Sequence, residues 1–206
     1  MIIEKKPRTF VPENLEIKWE NLEPLFNNLK AREINSVGEL ETWLKNRSEL
    51  GAALEENFAW RYIRMTCDTA NEQLLQDFQY FATEIEPKIA PIANELNQKF
   101  IDSPYTEKLD KDKYFVFIRG IKRALELFRE ENVPLLTQIQ VTQQKYQSIT
   151  GAMSVTIDDK EYTLEQASVF LKDTDRAIRQ RAWEAITARR LQDKQQLDDL
   201  FNELLK

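Results

Sequence analysis

The 206-residue chain has no histidine. Ser/His and Cys/His nucleophile systems, imidazole acid–base steps and most metal-dependent hydrolase sites need that side chain, so none can be assembled within it. Cysteine is almost as scarce. Cys67 is the one thiol, which excludes an internal disulfide and a cysteine cluster for zinc, and fits a reducing cytoplasm. Glycine occurs four times, well below an average usage of about 7%, so loops must be few. Gly38, Gly51, Gly120 and Gly151 cannot be arranged into either glycine-rich phosphate motif, which removes nucleotide cradles. No stretch approaches the roughly 18 uninterrupted apolar residues of a membrane span, and Met1–Pro7 lacks the apolar centre of a signal peptide. Positive charge is also in deficit: 29 Lys and Arg face 35 Asp and Glu, for a net charge of −6. No window is basic enough to track a phosphate backbone. Nucleic acid and membrane are therefore not expected partners, and the chain reads as soluble and cytoplasmic.

What remains is helix-forming. Charged residues make up 31% of the chain, and Leu, Glu, Gln, Lys and Ala are abundant, a composition of long helices with solvated outer faces. The expected fold class is all-α, a multi-helix bundle with kinked long helices and one small β-hairpin near residues 153–163.

Residues 1–16, with Pro7 and Pro12, read as an extended arm laid over the body. Residues 17–206 read as a single helical domain, with 151–163 as the candidate hinge. A first helix runs from Trp19 to about Glu33 on Leu22, Leu25, Phe26 and Leu29. Ser36 and Glu39 form a capping box before a long helix that carries Leu40, Trp43, Leu44, Leu50, Leu54 and Phe58 to about Cys67. Asp68-Thr69 can cap the next helix, in which Pro87 and Pro91 predict a kink or break between Glu86 and Ile92. Ser103-Pro104 resets the register. The helix from about Lys113 to Glu130 has so broad an apolar stripe (Tyr114, Phe115, Phe117, Ile118, Ile121, Leu125) that it is expected at the centre of the bundle.

Another helix opens at Asn132-Val133-Pro134 and should stop at Gly151 as a left-handed cap. Met153–Ile157 then alternates with period two, Asp158-Asp159-Lys160 is turn chemistry and Glu161–Thr163 returns. Thr163 with Gln166 is a second capping box, and Asp173 or Thr174 caps a terminal helix to Leu205. That helix thins in apolar positions between Thr187 and Gln196, then regains its stripe at Leu197, Leu200, Phe201 and Leu204 and reaches the last residues without a stop signal, so the natural polypeptide is expected to continue. An exposed strip of Leu197, Phe201 and Leu204 is expected there, and with it self-association.

Four groups invite a chemical reading. Asp198, Asp199 and Glu203, with Asp158 and Asp159, offer oxygen ligands for magnesium or calcium, but they lack calcium-loop spacing and suit solvated faces and a turn. Cys67 would be reactive at a helix N-terminus beside Arg61 or Arg64, against the simpler reading of a structural or incidental thiol, since unpaired cysteine is among the most buried residue types. The run Phe58-Ala59-Trp60-Arg61-Tyr62-Ile63-Arg64-Met65 could line a peptide groove with guanidinium groups for a carboxylate. In the simpler reading Trp60 and Ile63 pack in a core and the arginines pair with neighbouring carboxylates. The set Arg176, Arg179, Arg181, Arg189 and Arg190 has Asp173, Glu184 and Asp193 within pairing distance.

The layout from Tyr114 onward resembles a known family. Leu125-Glu126-Leu127-Phe128-Arg129, Ser148-Ile149-Thr150-Gly151-Ala152, the ribbon Val155–Leu164 and the phrase Asp173-Thr174-Asp175-Arg176-Ala177-Ile178-Arg179-Gln180-Arg181-Ala182-Trp183 are similar to the N-terminal region of oligoendopeptidase F, within the thimet-oligopeptidase-like zinc metallopeptidases. Arg47-Ser48-Glu49-Leu50 and Ala59–Cys67 look like a bacterial branch of the same group. The resemblance implies the N-terminal, substrate-enclosing lobe of a longer two-lobed enzyme that hydrolyses internal bonds of short peptides. In that family a His-Glu-x-x-His helix and a downstream glutamate hold zinc, and the motif glutamate activates water. None of those positions can be matched here. No catalytic or metal-ligating residue is assigned, and the substrate-binding residues stay open. Zinc would belong to the parent enzyme, and the expected partners are its C-terminal catalytic lobe and an oligopeptide. The rival reading is a freestanding helical interaction module without activity.

Overall fold

The structure, a computed structural model, describes residues 7–205. Residues 1–6 of the expected arm, and Lys206, lie outside the described residues. Described helices are α1 (Trp19–Ala31), α2 (Val37–Cys67), α3 (Glu72–Tyr80), α4 (Glu86–Asp102), α5 (Lys111–Leu127), α6 (Asn132–Gly151), α7 (Leu164–Ser168), α8 (Arg176–Gln192) and α9 (Lys194–Leu204). Strands β1 (Ser154–Ile157) and β2 (Lys160–Thr163) form one antiparallel hairpin. The all-α expectation with a single ribbon holds. By packing, the chain forms two compact units: the described residues up to Tyr62 with Asp77–Thr137, and Ile63–Gln76 with Gln138 onward. The crossings fall within α2, α3 and α6, while the expected hinge at 151–163 lies wholly inside the second unit.

The first unit is built around Leu22, Leu29, Leu40, Trp43, Ile85 and Phe100, all removed from solvent. Burying each such side chain is worth about 1.5–3 kcal/mol. The end of α1 ties this core together. Helix termini leave carbonyls without intrahelical donors; here Lys99 Nζ of α4 donates to the carbonyls of Leu29, Lys30 and Arg32 at 3.1, 2.6 and 2.5 Å, and Trp43 Nε1 of α2 donates to Leu29 at 2.9 Å. Burial, and then the charge of Arg32, hold the Lys99 ammonium below its ordinary pKa. Ser36 accepts from the Glu39 amide at 3.2 Å, as the capping box requires, but the Glu39 carboxylate takes the amide of Asn35, one residue earlier than that of Ser36.

The N-terminal segment is held by a carboxylate on α2. Glu49 accepts the amides of Thr9 (2.9 Å), Phe10 (2.8 Å) and Val11 (2.7 Å) and the Thr9 hydroxyl (3.0 Å), and Val11 is buried. Burial is the largest single influence on this carboxyl and acts to raise its pKa, yet the amides and hydroxyl together outweigh it and hold it at about 2.

Several elements depart from the periodicity. The expected break at Pro87–Pro91 is displaced upstream: the chain stays helical, and Phe81–Ile85 forms a π-helical segment closed by the Glu86 amide on the Phe81 carbonyl. Pro87 lacks an amide and its ring crowds the carbonyl four residues back, which is Thr83, inside that wider turn. The α3 cap is Asn71, accepting from Gln73 (3.1 Å) and Leu74 (3.3 Å), because Asp68-Thr69 is spent in a preceding turn. Ser103-Pro104 leads into a 3-10 turn at Thr106–Lys108, and the α5 cap is Asp110.

Helix α5 is not central. None of its residues is buried: Tyr114, Ile118 and Ile121 pack part-way onto the core, while Phe115 and Val116 are 60% and 66% exposed. Its apolar stripe is wider than the face that α4 covers. The Tyr114 hydroxyl (2.8 Å) and Lys113 ammonium (3.2 Å) fasten it to Glu41 of α2.

In the second unit Val155 and Ile157 of β1 pack with Ala167, Ala182 and Ile186, and Tyr162 meets Phe170 edge-on at 5.1 Å. Asp158 and Asp159 both have positive φ, 51° and 61°, the conformation of a two-residue I′ hairpin turn, so Lys160 belongs to β2, opposite Ile157. Thr163 and Gln166 form the complete capping box. Gly151 is not a left-handed cap. No described glycine has positive φ, and a Cβ on Gly151 would lie 2.9 Å from Thr69 Cγ2, so close approach explains this glycine. Asp175, not Asp173 or Thr174, caps α8, and the terminal helix breaks at Asp193, whose carboxylate turns back to Arg189 at 2.5 Å. Phe201 and Leu204 are exposed as expected, but Leu197 is half-buried in a groove with Tyr146 and Gln147 of α6.

Lys99→Met should lower stability by about 1.5–3 kcal/mol in urea unfolding, because it strands carbonyls that accept a charged donor; an unchanged midpoint would refute that role. For Glu49 the folded carboxyl titrates near 2 against an ordinary 4.5, so as pH falls the unfolded chain takes up its proton first. The contribution is intact above pH 4.5 and lost as pH falls through 2. Glu49→Gln should therefore cost about 1–2 kcal/mol at neutral pH, with the gap to the parent chain closing toward pH 2; a pH-independent gap would contradict the assignment.

Candidate functional site

The aromatic and basic run of α2 divides between inward and outward positions. Phe58 stacks against Phe78 and Phe81, with ring centres 5.6 and 5.2 Å away, and Met65 is buried. Trp60 and Ile63 are 52% and 43% exposed, so the reading that placed them in core packing is corrected: both lie on the outer side of a helix whose inner side is already filled. Arg61 is engaged structurally. Its guanidinium donates to Asn57 Oδ1 (2.7 Å) and to the Asp77 carbonyl (2.5 Å), 5.9 Å from the centre of the Tyr80 ring. It fastens α2 to α3 through the Asp77 backbone carbonyl and is braced within α2 by the Asn57 amide oxygen.

Cys67 is the last residue of α2 and exposed. It sits at the negative end of the helix dipole, the opposite of an activating N-terminus, and it is exposed where a lone cysteine is more often buried. The terminal arginines are largely occupied. Arg179 donates to the carbonyls of Asp173 and Thr174, Arg181 reaches Asp158 at 3.4 Å, and Arg189 pairs with Asp193. Glu184 instead accepts from Gln180 at 2.8 Å. Of the acidic residues, Asp158 and Asp159 make the hairpin turn, Asp199 accepts from Gln195, and Glu203 accepts from Thr142 and pairs with Lys145. Asp198 is exposed. Among the described residues no three His, Cys, Asp or Glu side chains are grouped to hold a metal ion.

Among the described residues, two concave surfaces stand out. In the second unit a groove of about 380 Å³ is lined by Gln143, Tyr146 and Gln147 of α6 and by Leu197, Leu200, Phe201 and Leu204 of α9. In the first, a groove of about 620 Å³ runs along α5, lined by Lys111, Phe115, Ile118, Arg119, Lys122, Arg123 and Glu126. Sequence reasoning missed this second surface. The broad stripe of α5 was read as burial, although the basic residues interleaved at spacings of three and four carried the contrary signal.

Residues 14–128 match the family model described as the Peptidase M3 N-terminal domain, more than half of the 206 residues. The chain belongs to that family. The match takes in α1 to α5 and ends before the hairpin and the Asp173–Trp183 phrase. The fold extends the likeness across the remainder. A solved structure provisionally named oligoendopeptidase F superimposes with a TM-score of 0.84 at 23% identity, covering 96% of this chain and 35% of its own. PZ peptidase A with an inhibitor gives 0.81 at 21%, over 95% of this chain and 35% of that one. A Bacillus anthracis protein, also provisionally named oligoendopeptidase F, gives 0.81 at 20%, over 96% and 37%. At these identities the likeness is one of fold, and the M3 N-terminal domain seen here spans little more than a third of the length of those chains. No curated protein matches the chain. Among the described residues, no helix is long and apolar enough to cross a membrane.

Proposed function

We propose that this chain is the substrate-enclosing N-terminal lobe of a two-lobed, zinc-dependent oligoendopeptidase of the cytoplasm. The catalytic His-Glu-x-x-His segment would lie in a C-terminal lobe of the same polypeptide, and this segment alone would hydrolyse nothing. The observation that carries the reading is coverage: 96% of the chain superimposes on only 35% of a larger protein provisionally named oligoendopeptidase F. The family match and the lack of any histidine for zinc or for acid–base chemistry support it. The contribution of this lobe is steric and recognitive. Helices wall off a space that admits short peptides, and the chemistry is supplied from outside it. Held apart from a catalytic lobe, the segment would pair with a second copy through α9, where Phe201 and Leu205 are 63% and 69% exposed.

With zinc and an internally quenched peptide, the 206-residue chain should give no turnover, whereas the full reading frame should give turnover that a chelator abolishes. Chelator-sensitive hydrolysis by the segment alone would overturn the reading, as would an inactive full-length product. Sedimentation of the segment should show concentration-dependent dimers that Phe201→Glu dissociates; a strict monomer would refute the pairing.

A further inference from the structure

The groove on α5 differs electrostatically from the rest of its unit. It is lined by four cations, Lys111, Arg119, Lys122 and Arg123, against one carboxylate, Glu126, in a chain of net charge −6. Arg123 and Glu126 pair at 2.9 Å, which leaves three positive charges. Some other surface cations of this unit do find carboxylates: Lys30 with Glu95 at 2.6 Å, Arg8 with Glu56 at 3.2 Å, Lys113 with Glu41 at 3.2 Å. Among the described residues, Lys111, Arg119 and Lys122 have no such partner. Steps of eight and three residues, about two helical turns and one, put them on one side of the helix, beside an apolar strip of half-buried Ile118 and exposed Phe115. The Arg119 guanidinium lies 5.6 Å from the centre of the Phe115 ring, a cation–π contact that orders the side chain and consumes none of its hydrogen-bond donors.

We propose that this groove binds an acidic oligopeptide segment. Its carboxylates would meet Arg119 and Lys122, with Lys111 extending the positive field, and a neighbouring apolar side chain would lie on Phe115 and Ile118. The proposal rests on the oligopeptidase reading and adds a preference to it: peptides that carry Asp, Glu or a free C-terminal carboxylate beside a bulky apolar residue. Guanidinium and carboxylate match in a planar, two-bond geometry, and the apolar strip supplies contact area that exposed ion pairs lack. A nucleic acid is the poorer complement, since three charges and one exposed ring on an acidic chain give little purchase on a phosphate backbone.

The test is a nuclear magnetic resonance titration of the isotope-labelled 206-residue chain with three probes: acetyl-Gly-Phe-Glu-Asp-Gly with a free carboxylate, its Gln/Asn counterpart with an amidated terminus, and octathymidylate. The acidic peptide should shift amides across 111–126 saturably, bind at least about tenfold more tightly than the neutral one, and weaken as salt is added. The double variant Arg119→Ala/Lys122→Ala should lose about tenfold or more in affinity, while Arg190→Ala on α8 should leave it unchanged. Equal affinity for the neutral peptide or for octathymidylate, shifts confined to other helices, or a double variant that binds normally would each overturn the proposal. The two readings fail separately: chelator-sensitive turnover by the full polypeptide without any α5 response refutes the groove alone, and loss of that turnover refutes the oligopeptidase reading whatever α5 binds.

Discussion

The carbonyls at the end of α1 are the constraint on which the first unit depends. A helix that stops inside a protein leaves acceptors without donors, and each one stranded away from water costs about 1–3 kcal/mol. Here one ammonium from α4 and one indole from α2 meet at the same helix end, and both donate to the carbonyl of Leu29. Three helices are thereby fixed at one point. Trp43, which makes one of those bonds, is also a large, wholly buried side chain. Phe100, next to Lys99, continues α4 into the core and meets Phe117 of α5 edge-on at 5.5 Å. Glu49 repeats the logic with the opposite sign, gathering the amides of an irregular segment onto a helix.

The second unit is assembled from more local devices. Asp158 and Asp159 set the hairpin turn, the hairpin points Val155 and Ile157 inward, and Thr163 closes β2 by capping α7. Each device joins residues a few positions apart, which is why this region was legible before any tertiary structure was known. The interruption at Asp193 was less so. Only a thinning of apolar positions announced it, and the carboxylate that turns back on Arg189 completes it.

For function, the side chains present set a limit. The chain belongs to the M3 N-terminal domain family and, without a histidine, offers no imidazole as a zinc ligand or acid–base group. The aromatic and basic run of α2 looked the stronger candidate for recognition, yet Arg61 is spent on Asn57 and the Asp77 carbonyl. Among the described residues, three cations that pair with no carboxylate, Lys111, Arg119 and Lys122, line one groove on α5, a helix whose apolar content had suggested burial.

The sequence by itself determined what depends on neighbours along the chain: the predominance of helix, the capping box at Thr163, the turn that begins at Asp158, and the chemistry excluded by the lack of histidine. Such features are settled by φ/ψ preference and by side chains reaching one turn away. Only the tertiary structure decided which acceptor Lys99 and Arg61 would find, that Gly151 makes room for Thr69, that the strain of Pro87 would be taken up before it as a π turn, and that α5 would keep a charged, half-apolar face uncovered. The physical reason is the same in each case. Periodicity tells a helix which of its sides is apolar, but burial, pairing and exposure belong to what packs against that side, and that is fixed by residues dozens of positions away.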